Sequence, residues 1–400
     1  MLSPVYLATI AAALFADTGA ATVSDKRYQL SKWMASSIIS RGQGVFTGTG
    51  GSSEALQAGF TQKAFTALVA QYPGRQSADF KEYIQTSAES SVPFLSNATK
   101  DALSYPMDRL SNGNALLALS SKRGGSALRA TEQALRDSID LNRRNAEGGL
   151  WYFVYPEWSY LDGMYSLAPF YALHSITTAG YHSKSTAAAL DDLLYQLDLL
   201  WTHTYHADTG LLTHGYDASR KAVWADPNTG ASPFVWVRSL GWYTMALVDL
   251  LEVLDDAPLK YKKPVLQKFQ KLMPAIIKAV DPRTGGWWQI VDQPGRPGNY
   301  IESSGSAMFA YSLLKGSRLG YLPLWVAPAA RIVALRAYQY LTNTFVVQEA
   351  DGTLSYNGTV AVCSLNSTAS YDYYTHQPIL YNSVLGSAAY VLASLEVERL

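Results

Sequence analysis

The sequence predicts an all-α fold, an (α/α)6 barrel of six helical hairpins, and two observations predict it. The first is a glycine turn that recurs between helical stretches. Its copies are Ala146-Glu147-Gly148-Gly149-Leu150-Trp151, Asp208-Thr209-Gly210-Leu211-Leu212-Thr213-His214, Arg283-Thr284-Gly285-Gly286-Trp287-Trp288-Gln289 and Ala350-Asp351-Gly352-Thr353-Leu354-Ser355-Tyr356. Each joins a turn to a short aromatic, aliphatic or β-branched run, which suits a turn and a brief extended segment. The anchors Gly149, Gly210, Gly286 and Gly352 stand 61, 76 and 66 residues apart. The second observation is the helical pattern on either side. Ala187 to Leu200 and Lys262 to Val280 precede such turns. Trp242 to Leu254 follows one, with Leu247, Leu250, Leu251 and Leu254 on one face. Ser306 to Leu314 and Asn382 to Leu395 are similar, and the latter is apolar nearly all round, as an inner helix of a two-layer array should be. About six such pairs fill the chain after its first residues. Closed into a ring they form the barrel. An open α-solenoid is the alternative, with shorter and more uniform repeats.

No linker divides the chain, so residues 22–400 read as one domain. Residues 47–53 and 294–298, rich in Gly, Thr, Ser and Pro, read as loops. The first residues run apolar from Val5 to Phe15, and the small residues Thr18-Gly19-Ala20-Ala21 follow. That pattern predicts a secretory signal peptide over residues 1–21 and an extracellular protein, although a basic start is missing. The alternative is an ordinary apolar first helix. No other run is long and apolar enough to span a bilayer. Three sequons, at Asn97, Asn357 and Asn366, are candidate glycosylation sites. Cys363 is the only cysteine, which excludes an intrachain disulfide and a cysteine-rich metal site. The 32 basic and 32 acidic residues balance and form no basic stripe, which argues against nucleic acid as a partner. Neither a Walker loop nor a Gly-x-Ser-x-Gly elbow is present.

In a helical barrel the loops leading into the inner helices gather at one mouth, so their polar residues are the candidates. Asp162 lies in Glu157-Trp158-Ser159-Tyr160-Leu161-Asp162-Gly163-Met164-Tyr165, a carboxylate in an aromatic and apolar setting. Burial there would raise its pKa and let it hold a proton near neutral pH, as a general acid requires. Alternatively, Asp162 only caps a helix beginning at Gly163. Asp108 pairs with Arg109 or caps the helix after Pro106. His214 is functional or a satisfied structural histidine, and Asp217 orients it or closes the turn at Tyr216. Arg238, between Trp236 and Trp242, can hold a carboxylate bidentately with the indoles as sugar-stacking walls, or stack as a structural cation. Glu302 bonds substrate or complements a helix dipole. His376 is a further rim candidate. His203 and His206 lack a third ligand at metal-site spacing.

Three segments together resemble glycoside hydrolase family 105, the unsaturated rhamnogalacturonyl hydrolases and their relatives. They are Tyr160-Leu161-Asp162-Gly163-Met164-Tyr165 with Pro169-Phe170, Thr213-His214-Gly215-Tyr216-Asp217, and Trp236-x-Arg238-x-x-Gly241-Trp242. Matching segments run from about Asp108 to Gly386. The resemblance implies an (α/α)6 barrel that acts on lyase-generated rhamnogalacturonan oligosaccharides. It implies release of Δ4,5-unsaturated galacturonic acid from their non-reducing end, with neither metal nor organic cofactor. It assigns Asp162 as acid/base and Asp108 as the second carboxylate. His214, Trp236, Arg238 and Trp242 would hold the unsaturated uronate. The family pattern also carries a basic residue near the catalytic Asp, where Tyr152-Phe153-Val154 offers none. The implied reaction differs from ordinary glycoside hydrolysis, which uses two carboxylates across the anomeric carbon. Here Asp162 protonates C4 of the vinyl ether, water adds at C5, and the resulting hemiketal opens and expels the aglycone. An unsaturated glucuronyl hydrolase, a conventional inverting glycosidase and a non-catalytic sugar-binding protein are the alternatives.

Overall fold

The computed structural model describes residues 29–51, 53–120 and 125–400, so the expected signal peptide lies outside the described residues. Helices are α1 Leu30–Ser40, α2 Glu54–Gln71, α3 Ala78–Ser91, α4 Ala98–Ser104, α5 Gly113–Ser120, α6 Ser126–Asp140, α7 Asp162–Ala179, α8 Lys184–Thr204, α9 Val237–Val253, α10 Leu259–Lys278, α11 Ser303–Arg318, α12 Ala327–Phe345, α13 Tyr371–Thr375 and α14 Val384–Val397. A 3-10 turn, Met107–Asn112, leads into α5. Three antiparallel ribbons complete the set: β1 Trp158–Tyr160 with β2 Gly215–Asp217, β3 Val346–Gln348 with β4 Leu354–Tyr356, and β5 Thr359–Val360 with β6 Ile379–Leu380. In the first, Tyr160 pairs with Gly215 and Trp158 with Asp217.

The inner ring runs α2, the 3-10 turn with α5, α7, α9, α11 and α14, and α14 packs back onto α2. The array is therefore a closed barrel and not an open solenoid. Outer helices α3, α6, α8, α10 and α12 each cover the inner helix they follow. The sixth hairpin joins the two ends of the described chain, because α1 packs on α14.

Sequence explains which layer each helix joins. In α9 every residue from Val237 to Leu251 is buried, as an apolar all-round helix requires. In α10 the residues Tyr261, Val265, Phe269, Leu272 and Ile276 form a buried stripe, while Lys260, Lys263, Lys271 and Lys278 face out. The recurrent turns are present. Their left-handed residues are Gly148, Gly210, Gly285 and Gly352, with φ of 83°, 74°, 82° and 83°. Two of the four thus fall one residue earlier than the anchors assigned to them. Behind the turns the chain doubles back through the bridges Arg144–Leu150 and Tyr205–Leu212 and the β3–β4 ribbon.

All six inner helices run the same way, so their N-termini share one mouth. Phe60 from α2, Tyr165 from α7 and Trp242 from α9 meet inside the ring, with centroids 4.5 to 5.5 Å apart. Close helix approach depends on small residues at the contacts. A Cβ on Gly305 of α11 would lie 2.6 Å from Val237 Cγ2 and 2.9 Å from its carbonyl carbon. Gly305→Ala should therefore lower stability by about 1–3 kcal/mol through overpacking. Calorimetry should show a reduced Tm with unchanged far-ultraviolet circular dichroism; an unaltered Tm would contradict this packing.

Candidate active site

The β1–β2 ribbon delivers the chain to the mouth. Leu161 follows β1, and its N–H donates to the His214 carbonyl at 3.0 Å. Asp162 is then the first residue of α7, where a negative charge suits the helix dipole. It caps nothing: the N-cap position is Leu161, without a side-chain cap bond. Instead Asp162 Oδ2 accepts a short hydrogen bond from Ser239 Oγ of α9 and lies 3.4 Å from His214 Nε2. Asp162 is 8% exposed.

Asp108, in the 3-10 turn, is the other carboxyl on the same cavity. Its Oδ2 accepts from Tyr152 Oη at 2.8 Å, and its buried Oδ1 has no protein partner. The pairing with Arg109 expected from sequence does not form. That guanidinium bonds Ser138, Asn142 and the carbonyls of Tyr105 and Pro106. Burial pushes the Asp108 carboxyl up to about 7; the Tyr152 hydrogen bond opposes this and the Asp162 charge adds to it. Burial thus lets Asp108 hold a proton to near neutral pH.

The cavity, about 70 Å³, is walled by Tyr152, Tyr155, Tyr160, Trp236, Trp242 and the segment Val362-Cys363-Ser364. Arg238 also lines it. Its Nη1 donates to the Val360 carbonyl at 2.6 Å and its Nη2 to the Ala361 carbonyl at 2.6 Å. It also stacks on Trp236, 4.7 Å from the ring centre, so its structural role is extensive. Nε and one Nη2 proton keep no acceptor among the described residues.

His214 is fully buried behind the wall, with Nδ1 2.7 Å from Tyr374 Oη. It does not line the cavity, contrary to its expected hold on substrate, and backs the wall residues Asp162, Tyr160 and Trp236. Glu302 is not on the wall, contrary to its expected substrate contact. It N-caps α11, accepting from Gly305 N and Ser304 Oγ at 2.7 Å and from Val360 N at 3.1 Å. Asp217 closes its own turn through Ser219, Lys221 and Ala222 and does not touch His214. His376 is exposed and off the wall. His203 bonds Glu147 and the Thr229 carbonyl.

Sequence reading missed Ser239, Tyr152, Tyr374 and Cys363. Ser239 was within reach, because it follows Arg238 in the first turn of an inner helix. Tyr374 was not, since 160 residues separate it from His214. Among the described residues no group of three or more His, Cys, Asp or Glu side chains is arranged to hold a metal ion.

A closed double ring of helices with a carboxyl pair at its aromatic mouth is suited to acid/base work on a sugar. Residues 52–400 match the family model for Glycosyl Hydrolase Family 88, and the chain belongs to that family. It is also similar to a family 105 glycoside hydrolase of C. acetobutylicum ATCC 824. Identity is 31%, coverage is 93% of this chain and 100% of the other, and the TM-score is 0.79. The unsaturated glucuronyl hydrolase of Bacillus sp. GL1 shares the fold at 14% identity, with 93% and 95% coverage and a TM-score of 0.63. A 24.9 kDa protein in the picA locus of Rhizobium radiobacter is 35% identical over 213 residues, 52% of this chain and 90% of that protein. The chain is thus a family 105-like glycoside hydrolase of the unsaturated uronyl hydrolase group.

The raised pKa of Asp108 also makes stability depend on pH. The unfolded chain releases this proton near 3.8, the folded protein near 7. Between those values the folded state binds more protons, so stability falls as pH rises through the window. The full cost is on the order of 4 kcal/mol above it. Asp108→Asn removes the cost and can still accept from Tyr152. Its Tm should match wild type near pH 4 and exceed it at pH 8; a gap independent of pH would refute the assignment.

Proposed function

We propose that the protein releases Δ4,5-unsaturated galacturonic acid from the non-reducing end of lyase-generated rhamnogalacturonan oligosaccharides. The observation that carries this reading is the carboxyl pair. Asp162 is fixed by Ser239 beside His214, Asp108 is held by Tyr152, and both face one aromatic-walled cavity with Arg238 on its rim. The 31% identity to a family 105 hydrolase supports the family placement, and the choice of substrate rests on the resemblance of the three sequence segments to family 105.

The uronate brings a further negative charge into this cavity. Nearby like charges favour the protonated form of a carboxyl, so the bound uronate favours a proton in this cavity. The free donors of Arg238 meet the uronate carboxylate, and Trp236 and Trp242 stack on the ring. Asp162 delivers its proton to C4 as the C4=C5 π bond opens. The carboxylate left behind takes a proton from water, whose oxygen bonds C5. The hemiketal then loses its C5 to ring-oxygen bond, giving a ketone. The hemiacetal at C1 expels the aglycone as an alcohol and leaves an aldehyde. One carboxyl acts first as acid and then as base, within hydrogen-bond reach of the reacting atoms. Asp108, protonated up to about pH 7, lines the cavity as a neutral carboxyl beside Asp162.

The test incubates wild type and Asp162→Asn with an unsaturated galacturonyl-rhamnose disaccharide and follows the ultraviolet absorbance of the double bond. Wild type should abolish it, and the variant should be slower by about 100- to 10,000-fold. Release of a sugar that keeps its absorbance would overturn the mechanism. Preference for an unsaturated glucuronyl disaccharide would overturn the substrate.

We also propose export, on the apolar run from Val5 to Phe15 and the small residues after it. Full-length protein expressed in a secreting host should reach the medium with an intact mass that begins near Ala21 or Thr22. Retention in the cell at full mass would count against export.

A further inference from the structure

We propose that Tyr152 is a positioning residue of this pocket: its hydroxyl holds Asp108 through Oδ2, fixes the carboxyl against the cavity, and sets how readily Asp108 gives up its proton. The inference rests on the reaction above for its kinetic consequence, but not for its geometry.

Three contacts fix Tyr152. Its N–H donates to the Trp158 carbonyl at 2.8 Å. Its own carbonyl accepts from Met107 N at 2.9 Å, one residue before Asp108. Its ring stacks on Tyr160, with centroids 4.3 Å apart and planes 9° from parallel. Backbone and ring are thus held from two directions, and the hydroxyl has one acceptor, Asp108 Oδ2. Burial, with Asp108 and Asp162 nearby, pushes the Tyr152 phenol well above its usual range. The phenol therefore stays protonated and always donates.

The chemical identity of this donor matters. A cation beside Asp108 would hold the carboxyl ionised through a charge-assisted bond. A neutral phenol stabilises the ionised form less. The other groups facing Asp108 are Asp162 of α7, which favours its protonated form, and Arg109 on its own turn, which opposes it. Arg109 is committed to Ser138 and Asn142. Tyr155, Tyr160 and Arg238 complete the wall. Among the described residues Tyr152 is thus the one side chain hydrogen-bonded to the Asp108 carboxyl group. Its hydrogen bond draws the Asp108 pKa down, and burial outweighs it, so the Asp108 proton persists to near neutral pH.

Tyr152→Phe keeps the stacked ring and removes only the hydroxyl. The carboxyl of Asp108 is followed in the free protein by infrared titration, with Asp108→Asn identifying its band. Loss of one hydrogen bond to the ionised form should move its midpoint about one pH unit upward. The limb of the kcat/KM profile that Asp108 governs should move upward equally. An unchanged midpoint, or a loss of activity by the same factor at every pH, would overturn the proposal and leave Tyr152 a packing residue. The free-protein titration decides the matter even if no unsaturated sugar turns over, a result that would count against the proposed reaction instead.

Discussion

Closure of the inner ring, α14 against α2, is the constraint on which the mouth depends. Six parallel inner helices can bring their N-termini to one point only if the ring is complete. Each N-terminus carries a partial positive charge and unsatisfied N–H groups. Acidic side chains there are favoured before any substrate is considered. Asp162 opens α7 and Glu302 caps α11 on these terms. The opposite mouth receives the C-termini and carries lysines. Lys315 and Lys63 both pair with Asp249, and these pairs pull its carboxyl down to about 2 against the desolvation that raises it. Glu252 and Glu396 pair with Lys315 and Arg318 at the same end, and Phe60, Tyr165 and Trp242 lie inside the ring between the two mouths.

Within the mouth, the two carboxyls differ because their partners differ. Asp162 is reached by a hydroxyl and an imidazole, Asp108 by a phenol alone. Among the described residues no Lys or Arg lies within salt-bridge range of either; Arg109 and Arg238 are bonded elsewhere. A buried carboxyl without a cation keeps its proton longer, which is why burial outweighs the hydrogen bond at Asp108. Two carboxyls with unlike partners on one cavity are the usual physical basis for dividing acid and base roles.

Much of the fold was legible because its signals are local. Apolar periodicity in 242–254 and 382–395, and the left-handed glycines, are decided within a few residues. The start of α7 was legible too, as were Trp236 and Trp242, which sit next to an apolar helix start. What failed was partnership across the ring. Nothing near Arg238 announces that Val360 and Ala361 will take its protons. Nothing near Asp108 announces that Tyr152 will. Asp217 and Glu302 mislead for a related reason. A carboxylate closing a turn or capping a helix has the same local sequence as one that meets substrate.

The Arg238 and Glu302 pair shows why that distinction bears on specificity. Their nearest approach is 3.6 Å, and their stronger bonds go to one stretch of backbone. Glu302 takes the N–H of Val360, and Arg238 takes its carbonyl. Val360 is therefore clamped from both sides, and with it the start of the segment whose Val362, Cys363 and Ser364 wall the cavity. Lysine at 238 would keep the charge but lacks the planar fork that spans two carbonyls. Loss of activity on such a change would thus combine a displaced wall with a missing carboxylate contact. The buried charges here act first on the shape of the pocket, and the substrate meets that shape before it meets the guanidinium.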